Sequence, residues 1–99
     1  MEYLCLTYDV VPDYLERRIP LRAEHLSLAE EYALAGELRL GGAVGDPPDG
    51  ALLVFRSTRE RVEAFVARDA YVREGLVTRW EIRPWAVVVG TDLAREDAP

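Results

Sequence analysis

The sequence contains no lysine, asparagine or glutamine, and it has one cysteine, Cys5, and one histidine, His25. Without lysine, Schiff-base chemistry and the phosphate-binding lysine of a P-loop are excluded. One cysteine and one histidine cannot form a disulfide within the chain or a zinc site built from Cys and His. A metal would have to be held mainly by carboxylates, and we expect neither a metal nor another cofactor.

The chain also has little positive charge and no long hydrophobic run. Twelve basic residues oppose eighteen acidic ones, so the net charge is -6, which is unfavourable for binding nucleic acid or anionic lipid. The longest apolar stretch, residues 85–90, is far shorter than the ~20 residues that cross a bilayer, and no signal-peptide pattern starts the chain. We therefore expect a cytoplasmic protein without nucleic-acid or membrane partners.

The overall composition is typical of one globular domain. Ninety-nine residues, of which 49% are hydrophobic, can bury one core but not two. We predict a single domain over residues 1–90 and a frayed acidic tail over residues 91–99.

Hydrophobic periodicity predicts four strands and two main helices. Alternation with a period of two, or a short apolar run, marks the four strands, over residues 2–8, 38–44, 52–55 and 79–83. Apolar residues three and four apart predict a helix that starts at Pro20 and ends at Gly36. A capping box over residues 57–60, in which Ser57 is the N-cap, predicts the start of the second helix.

Shorter segments complete the predicted order. We expect a brief turn of helix over residues 13–18, an irregular loop over 46–50 and a helical extension over 71–74. Pro84 predicts a bend, after which residues 85–89 resume an extended structure. The order β-α-β-β-α-β is typical of the α+β, ferredoxin-like split βαβ fold with a four-stranded antiparallel sheet. Two helices cover one face of that sheet, and because the third strand is apolar throughout, we expect a second copy to cover the other face in a homodimer.

Two titratable residues lie on the inward faces of the predicted helices. His25 shares a stripe with Leu21 and Leu28, and Asp69 ends the inward stripe of the second helix. Both helices lie on one sheet face in this fold, so the two side chains can meet, and the carboxylate would fix the tautomer of a histidine that acts as a general acid or base. The alternative is a core histidine that a nearby carboxylate or carbonyl satisfies.

Other polar residues are weaker candidates. Arg22 lies one turn before His25 and can present a guanidinium to an anionic substrate, and Tyr8 can add a phenolic donor. A solvated or Glu-paired arginine and a packed tyrosine are the ordinary alternatives. Residues 41–45 are glycine-rich, but no helix follows them to bind phosphate, so we interpret them as strand and turn.

The sequence resembles the YciI-like (YCII-related) family over nearly its whole length. The matching segments, in the family's order, are Arg22–Leu26, Gly41–Gly42, Asp69 with Tyr71, Gly75–Leu76 and Ile82–Trp85. The resemblance implies a dimeric α/β barrel in which two ferredoxin-like sheets pack face to face, a fold related to that of muconolactone isomerases. It also implies an active site with His25 and Asp69, and it matches Arg22 to the arginine before the histidine. Ala70 stands where the family usually has proline, so the turn after Asp69 is less constrained.

These observations support two hypotheses about function. The first is a small cofactor-independent enzyme whose His25 and Asp69 perform elimination, isomerisation or hydrolysis on a small metabolite. The second is a non-catalytic dimeric domain that binds a small ligand or a partner, in which the same pair completes a polar core. A haem-degrading or cofactor-free monooxygenase on the same fold is disfavoured, because a single histidine narrows the choice of haem ligands. A cavity beside the pair would favour the enzyme.

Overall fold

The computed structural model describes residues 2–94. Within these residues the chain forms four strands, five short or medium helices and one 3-10 turn. In order they are β1 (Glu2–Val10), α1 (Tyr14–Arg17), the 3-10 turn (Ile19–Leu21), α2 (Arg22–Leu34), β2 (Leu38–Gly45), β3 (Pro48–Ser57), α3 (Arg59–Arg68), α4 (Ala70–Arg73), β4 (Val77–Trp85) and α5 (Thr91–Ala94). The strands form one antiparallel sheet in the order β2-β3-β1-β4. The predicted α+β fold is confirmed.

The core lies between one face of the sheet and helices α2 and α3. Alternate residues of the central strands β1 and β3 point into this core and are almost completely buried: Leu4, Leu6, Tyr8, Leu53 and Phe55. Three rings, Tyr32 of α2, Phe55 of β3 and Phe65 of α3, meet edge to face with centroids 5.2 to 6.1 Å apart. Burial of each such ring contributes about 1.5–3 kcal/mol, with a smaller term for ring geometry. This cluster fixes α2 against the sheet two turns beyond His25.

The connection between β2 and β3 is shorter than predicted. The irregular loop expected over residues 46–50 is wrong, because β2 continues to Gly45 and β3 already starts at Pro48. Gly45 has φ +96°, a left-handed conformation that glycine adopts without strain. A side chain at Gly50 would come within 2.9 Å of the Tyr8 carbonyl oxygen. Gly45 therefore allows the tight hairpin, and Gly50 allows the close approach of β3 to β1.

Three predicted boundaries also need correction. The main helix α2 starts at Arg22, since Pro20 belongs to the 3-10 turn before it. The N-cap of α3 is Thr58, whose hydroxyl oxygen accepts the Arg61 N–H at 3.2 Å, whereas Ser57 donates to Glu37. Pro84 lies inside β4 and not at a bend, because β4 is an edge strand and needs no N–H donor on its outer side.

The segment after β4 turns back toward the sheet. Residues 86–88 have no regular structure, so the predicted extended segment ends at Trp85. Residues 91–94, predicted as frayed, form the single turn α5, and its Asp92 pairs with Arg39 of β2 at 2.8 Å and accepts from the Tyr3 hydroxyl. The rest of the predicted tail lies outside the described residues.

The sheet face opposite the helices carries apolar side chains on three strands. We call it the open face, and its exposed apolar residues are Leu40, Val44, Leu52 and Trp85. Val54 lies on the same face and is buried, near the returning C-terminal segment. No helix within residues 2–94 is long and apolar enough to span a bilayer.

Candidate active site

Asp69 separates helices α3 and α4 and is fully buried. Its backbone is extended (φ -69°, ψ 122°), so it ends α3 and serves as the N-cap of α4, with its Oδ1 accepting the Tyr71 N–H at 3.0 Å. A capping aspartate is held by its own helix. The cap therefore fixes the carboxylate even though Ala70 provides none of the constraint of a proline.

Three donors converge on this carboxylate. In addition to the Tyr71 N–H, His25 Nδ1 lies 2.8 Å from Oδ1 and the Tyr8 hydroxyl donates to Oδ2 at 2.8 Å. The predicted contact between His25 and Asp69 is thus present. An ionised carboxylate only accepts hydrogen bonds, so this network assigns the proton of a neutral imidazole to Nδ1 and leaves the lone pair on Nε2.

Tyr8 holds Asp69 with its hydroxyl, while its ring lines the cavity described below. Burial, followed by the neighbouring Asp69 charge, raises the pKa of Tyr8 well above its usual range, so the phenol remains a neutral donor. The sequence predicts that Tyr8 donates a hydrogen bond to a substrate. In the structure its hydroxyl donates to Asp69, so the contact that it makes here holds the carboxylate.

Tyr71 is a part of the site to which sequence reasoning assigned no role. Its ring stacks on the His25 imidazole, with centroids 3.8 Å apart and planes 7° apart, and Tyr14 packs against it edge to face at 5.7 Å. The stack depends on the break at Asp69, which turns Tyr71 back toward α2. The available signal was its position two residues after an aspartate that caps a helix.

A cavity of about 340 Å³ lies beside the imidazole. Helix α2 forms one wall, with Arg22, His25, Leu26 and Ala29, and strands β2 and β3 form another. Gly41 and Gly42 contribute backbone to the lining, and Gly41, which is on the core face of β2, adds no side chain to the space. The volume is within the range of small-molecule sites. His25 keeps 14% of its side chain exposed, so this cavity can reach the ring.

Two arginines border the cavity. Arg22, predicted to bind substrate, is exposed at its rim, and Arg18, which the sequence did not single out, lies over the Tyr14 ring at 5.2 Å. Arg18 also donates to the Tyr14 hydroxyl at 3.4 Å. In the part of the chain that the structure describes, no group of three His, Cys, Asp or Glu side chains is arranged to hold a metal.

These features define a small α+β domain in which a histidine, oriented by a buried aspartate, faces a ring-sized cavity. A family model for the YCII-related domain matches residues 1–86, and the chain belongs to that family. The resemblance seen in the sequence is therefore confirmed. No curated protein matches the chain.

Two solved structures share the fold. The 5-chloro-2-hydroxyhydroquinone dehydrochlorinase TftG of Burkholderia phenoliruptrix AC1100, in complex with 2,5-dihydroxybenzoquinone, has a TM-score of 0.70 and 22% identity. The similarity covers 85% of this chain and 93% of the dehydrochlorinase. The protein Atu4242 of Agrobacterium tumefaciens has a TM-score of 0.53 and 14% identity, over 89% of this chain and 94% of its own.

Proposed function

We propose that this protein is a cofactor-independent enzyme that uses His25 and Asp69 for elimination, isomerisation or hydrolysis of a small cyclic metabolite. The observation that carries the proposal is the position of the imidazole between a fully buried carboxylate and the cavity. A histidine that only completed a core would be sealed on both sides. The dehydrochlorinase of the same fold, which is in complex with a ring compound, supports the proposed substrate size.

In the proposed reaction, Nε2 of His25 accepts a proton from a carbon or hydroxyl group of the substrate. The imidazolium that forms is stabilised by Asp69, which Tyr8 and the Tyr71 N–H hold in place. Return of the proton to a different atom gives isomerisation. Departure of a leaving group with its electron pair gives elimination. In hydrolysis Nε2 instead takes a proton from water as the water oxygen bonds to an electrophilic carbon of the substrate, and the imidazolium returns that proton to the leaving group as its bond to the carbon breaks.

Solvent-deuterium exchange tests the first step without knowledge of the complete reaction. We expect the protein in D2O to incorporate deuterium at the acidic C–H positions of small cyclic enols and ketones, with 2,5-dihydroxybenzoquinone as one member of the panel. Mass spectrometry of each compound measures the incorporation. His25→Ala should abolish the protein-dependent exchange, and Arg17→Gln, which changes an exposed arginine that does not line the cavity, should leave it unchanged.

Binding without exchange would reject the enzyme proposal. If panel members bind, as shown by perturbation of the NMR signals of the only imidazole in the chain, and none of them exchanges, the enzyme proposal is wrong. The protein would then be a binding domain.

We also propose that the protein is a homodimer that packs its open faces together, as in a dimeric α/β barrel. The support is the apolar surface that the helices leave uncovered on Leu40, Leu52 and Trp85. Large apolar patches are unusual on monomers, and two-fold dimers are the commonest oligomers.

Light scattering at micromolar concentration should report twice the chain mass. Leu52→Asp should give a folded monomer, because it introduces a like charge from each copy at the proposed contact. Leu15→Asp is the matched control: Leu15 is 40% exposed and Leu52 is 38% exposed, but Leu15 lies on α1, away from the open face. A wild-type protein that is monomeric, or a Leu52→Asp variant that remains dimeric, contradicts this packing.

A further inference from the structure

The polar groups that line the cavity are cationic or neutral. Arg18 and Arg22 supply two guanidinium groups, and the other polar side chains there are His25 and three tyrosines. Among residues 2–94, no aspartate or glutamate lines the cavity. Because the whole chain carries a net charge of -6, the composition does not explain a positively charged cavity. The charge is a local feature of this site.

The two cavity arginines differ from four arginines that are tightly paired with carboxylates. Arg39, Arg61, Arg68 and Arg73 each form a salt bridge with a carboxylate at 2.6 to 2.9 Å. Neither Arg18 nor Arg22 has a carboxylate within ion-pair distance among residues 2–94. Two charges in one cavity wall therefore lack a protein anion.

The Tyr71 hydroxyl is a third donor at the cavity without a protein acceptor among the described residues. The Tyr71 hydroxyl is buried and makes no hydrogen bond of good geometry within the described residues. Burial raises the pKa of Tyr71, while a hydrogen bond from Arg22 to the phenol and the charges of Arg22 and Arg18 oppose that rise. Arginine only donates hydrogen bonds, so neither neighbour can accept the phenolic proton. No residue that the structure describes accepts this proton, and a ligand oxygen in the cavity that Tyr71 lines can do so.

We propose that the cavity binds a ring-sized organic anion, whose charged oxygen lies between Arg18 and Arg22 and accepts a hydrogen bond from the Tyr71 hydroxyl. The inference rests on the proposed function and adds the substrate class to it. The stack of Tyr71 on His25 places this anion subsite next to the imidazole. A carboxylate and an enolate or phenolate share the required oxygen, and the volume of about 340 Å³ accommodates one ring with its substituents.

Calorimetric titration with benzoate, pentafluorophenolate and neutral benzamide tests the inference. We expect an anion to bind at least tenfold more tightly than benzamide. Arg18→Gln and Arg22→Gln should each weaken binding of the anion about tenfold, and Tyr71→Phe, which keeps the ring stack, should weaken it severalfold. Arg17→Gln removes the same charge from the neighbouring turn and should have no effect on affinity. A preference for benzoate identifies a carboxylate ligand, and a preference for pentafluorophenolate identifies an enolate-type oxygen.

Equal affinity for benzamide and both anions would overturn the inference, as would equal effects of Arg17→Gln and Arg22→Gln. This failure can be distinguished from failure of the proposed function. Deuterium exchange that depends on His25, together with no preference for anions, rejects only the anion subsite. Arginine-dependent anion binding without exchange of any bound compound rejects only the enzyme.

Discussion

Replacement of Asp69 with alanine is expected to lower the free energy of unfolding by about 3 kcal/mol. The variant loses the N-cap of α4, which contributes about 1 kcal/mol. It also leaves the buried Tyr8 hydroxyl without an acceptor, at about 1–3 kcal/mol. His25 adds little to the loss, because its imidazole borders the cavity and water can replace the lost bond. The loss is a large share of the ~5–15 kcal/mol that stabilises a domain.

Urea unfolding at neutral pH measures this effect. Asp9→Ala is the matched control, since Asp9 is an exposed aspartate of β1, and its removal should change stability by less than about 0.5 kcal/mol. Asp69→Asn should fall between the two, because the amide retains an oxygen for the cap but offers an NH₂ group where a donor already points. A loss below about 1 kcal/mol for Asp69→Ala would show that the three hydrogen bonds do not hold the junction of α3 and α4.

Much of this site follows from periodicity along the chain. His25 and Asp69 each end up on an inward stripe, and a fold with both helices on one sheet face is sufficient to bring them together. Periodicity does not predict that the Tyr8 hydroxyl donates to Asp69. The alternation of β1 places Tyr8 on the same face as Leu4 and Leu6, but which acceptor its hydroxyl meets depends on the position of α3 against the sheet.

Other features depend on three-dimensional detail that no local pattern contains. The stack of Tyr71 on His25 requires the extended backbone at Asp69, and helical spacing alone predicts a continuous or differently phased helix there. The cavity depends on the distance between α2 and strands β2 and β3, which tertiary packing sets. The sequence did not single out Arg18. Its guanidinium lines the cavity and has no carboxylate partner among residues 2–94, and a sequence does not show which arginines are paired.

The proposed chemistry depends on His25, and His25→Ala is expected to remove it without unfolding the protein. Asp69 retains its bonds from Tyr8 and the Tyr71 N–H, and water from the cavity can occupy the vacated position beside Oδ1. We therefore expect a small change in melting temperature. Loss of a general base usually lowers the rate of proton transfer by about 100-fold to 10,000-fold, so exchange or turnover should fall by at least about 100-fold.

Free imidazole provides the sharpest control for this variant. The truncated side chain leaves a space of imidazole size between Asp69 and the cavity, and added imidazole that binds there can accept the substrate proton. Restoration of exchange in His25→Ala, together with no restoration in Asp69→Ala, would assign the base to the ring and its orientation to the carboxylate. If instead His25→Ala is insoluble or melts far below the parent, the histidine is needed to complete the core, and the role of His25 as a catalytic base is rejected.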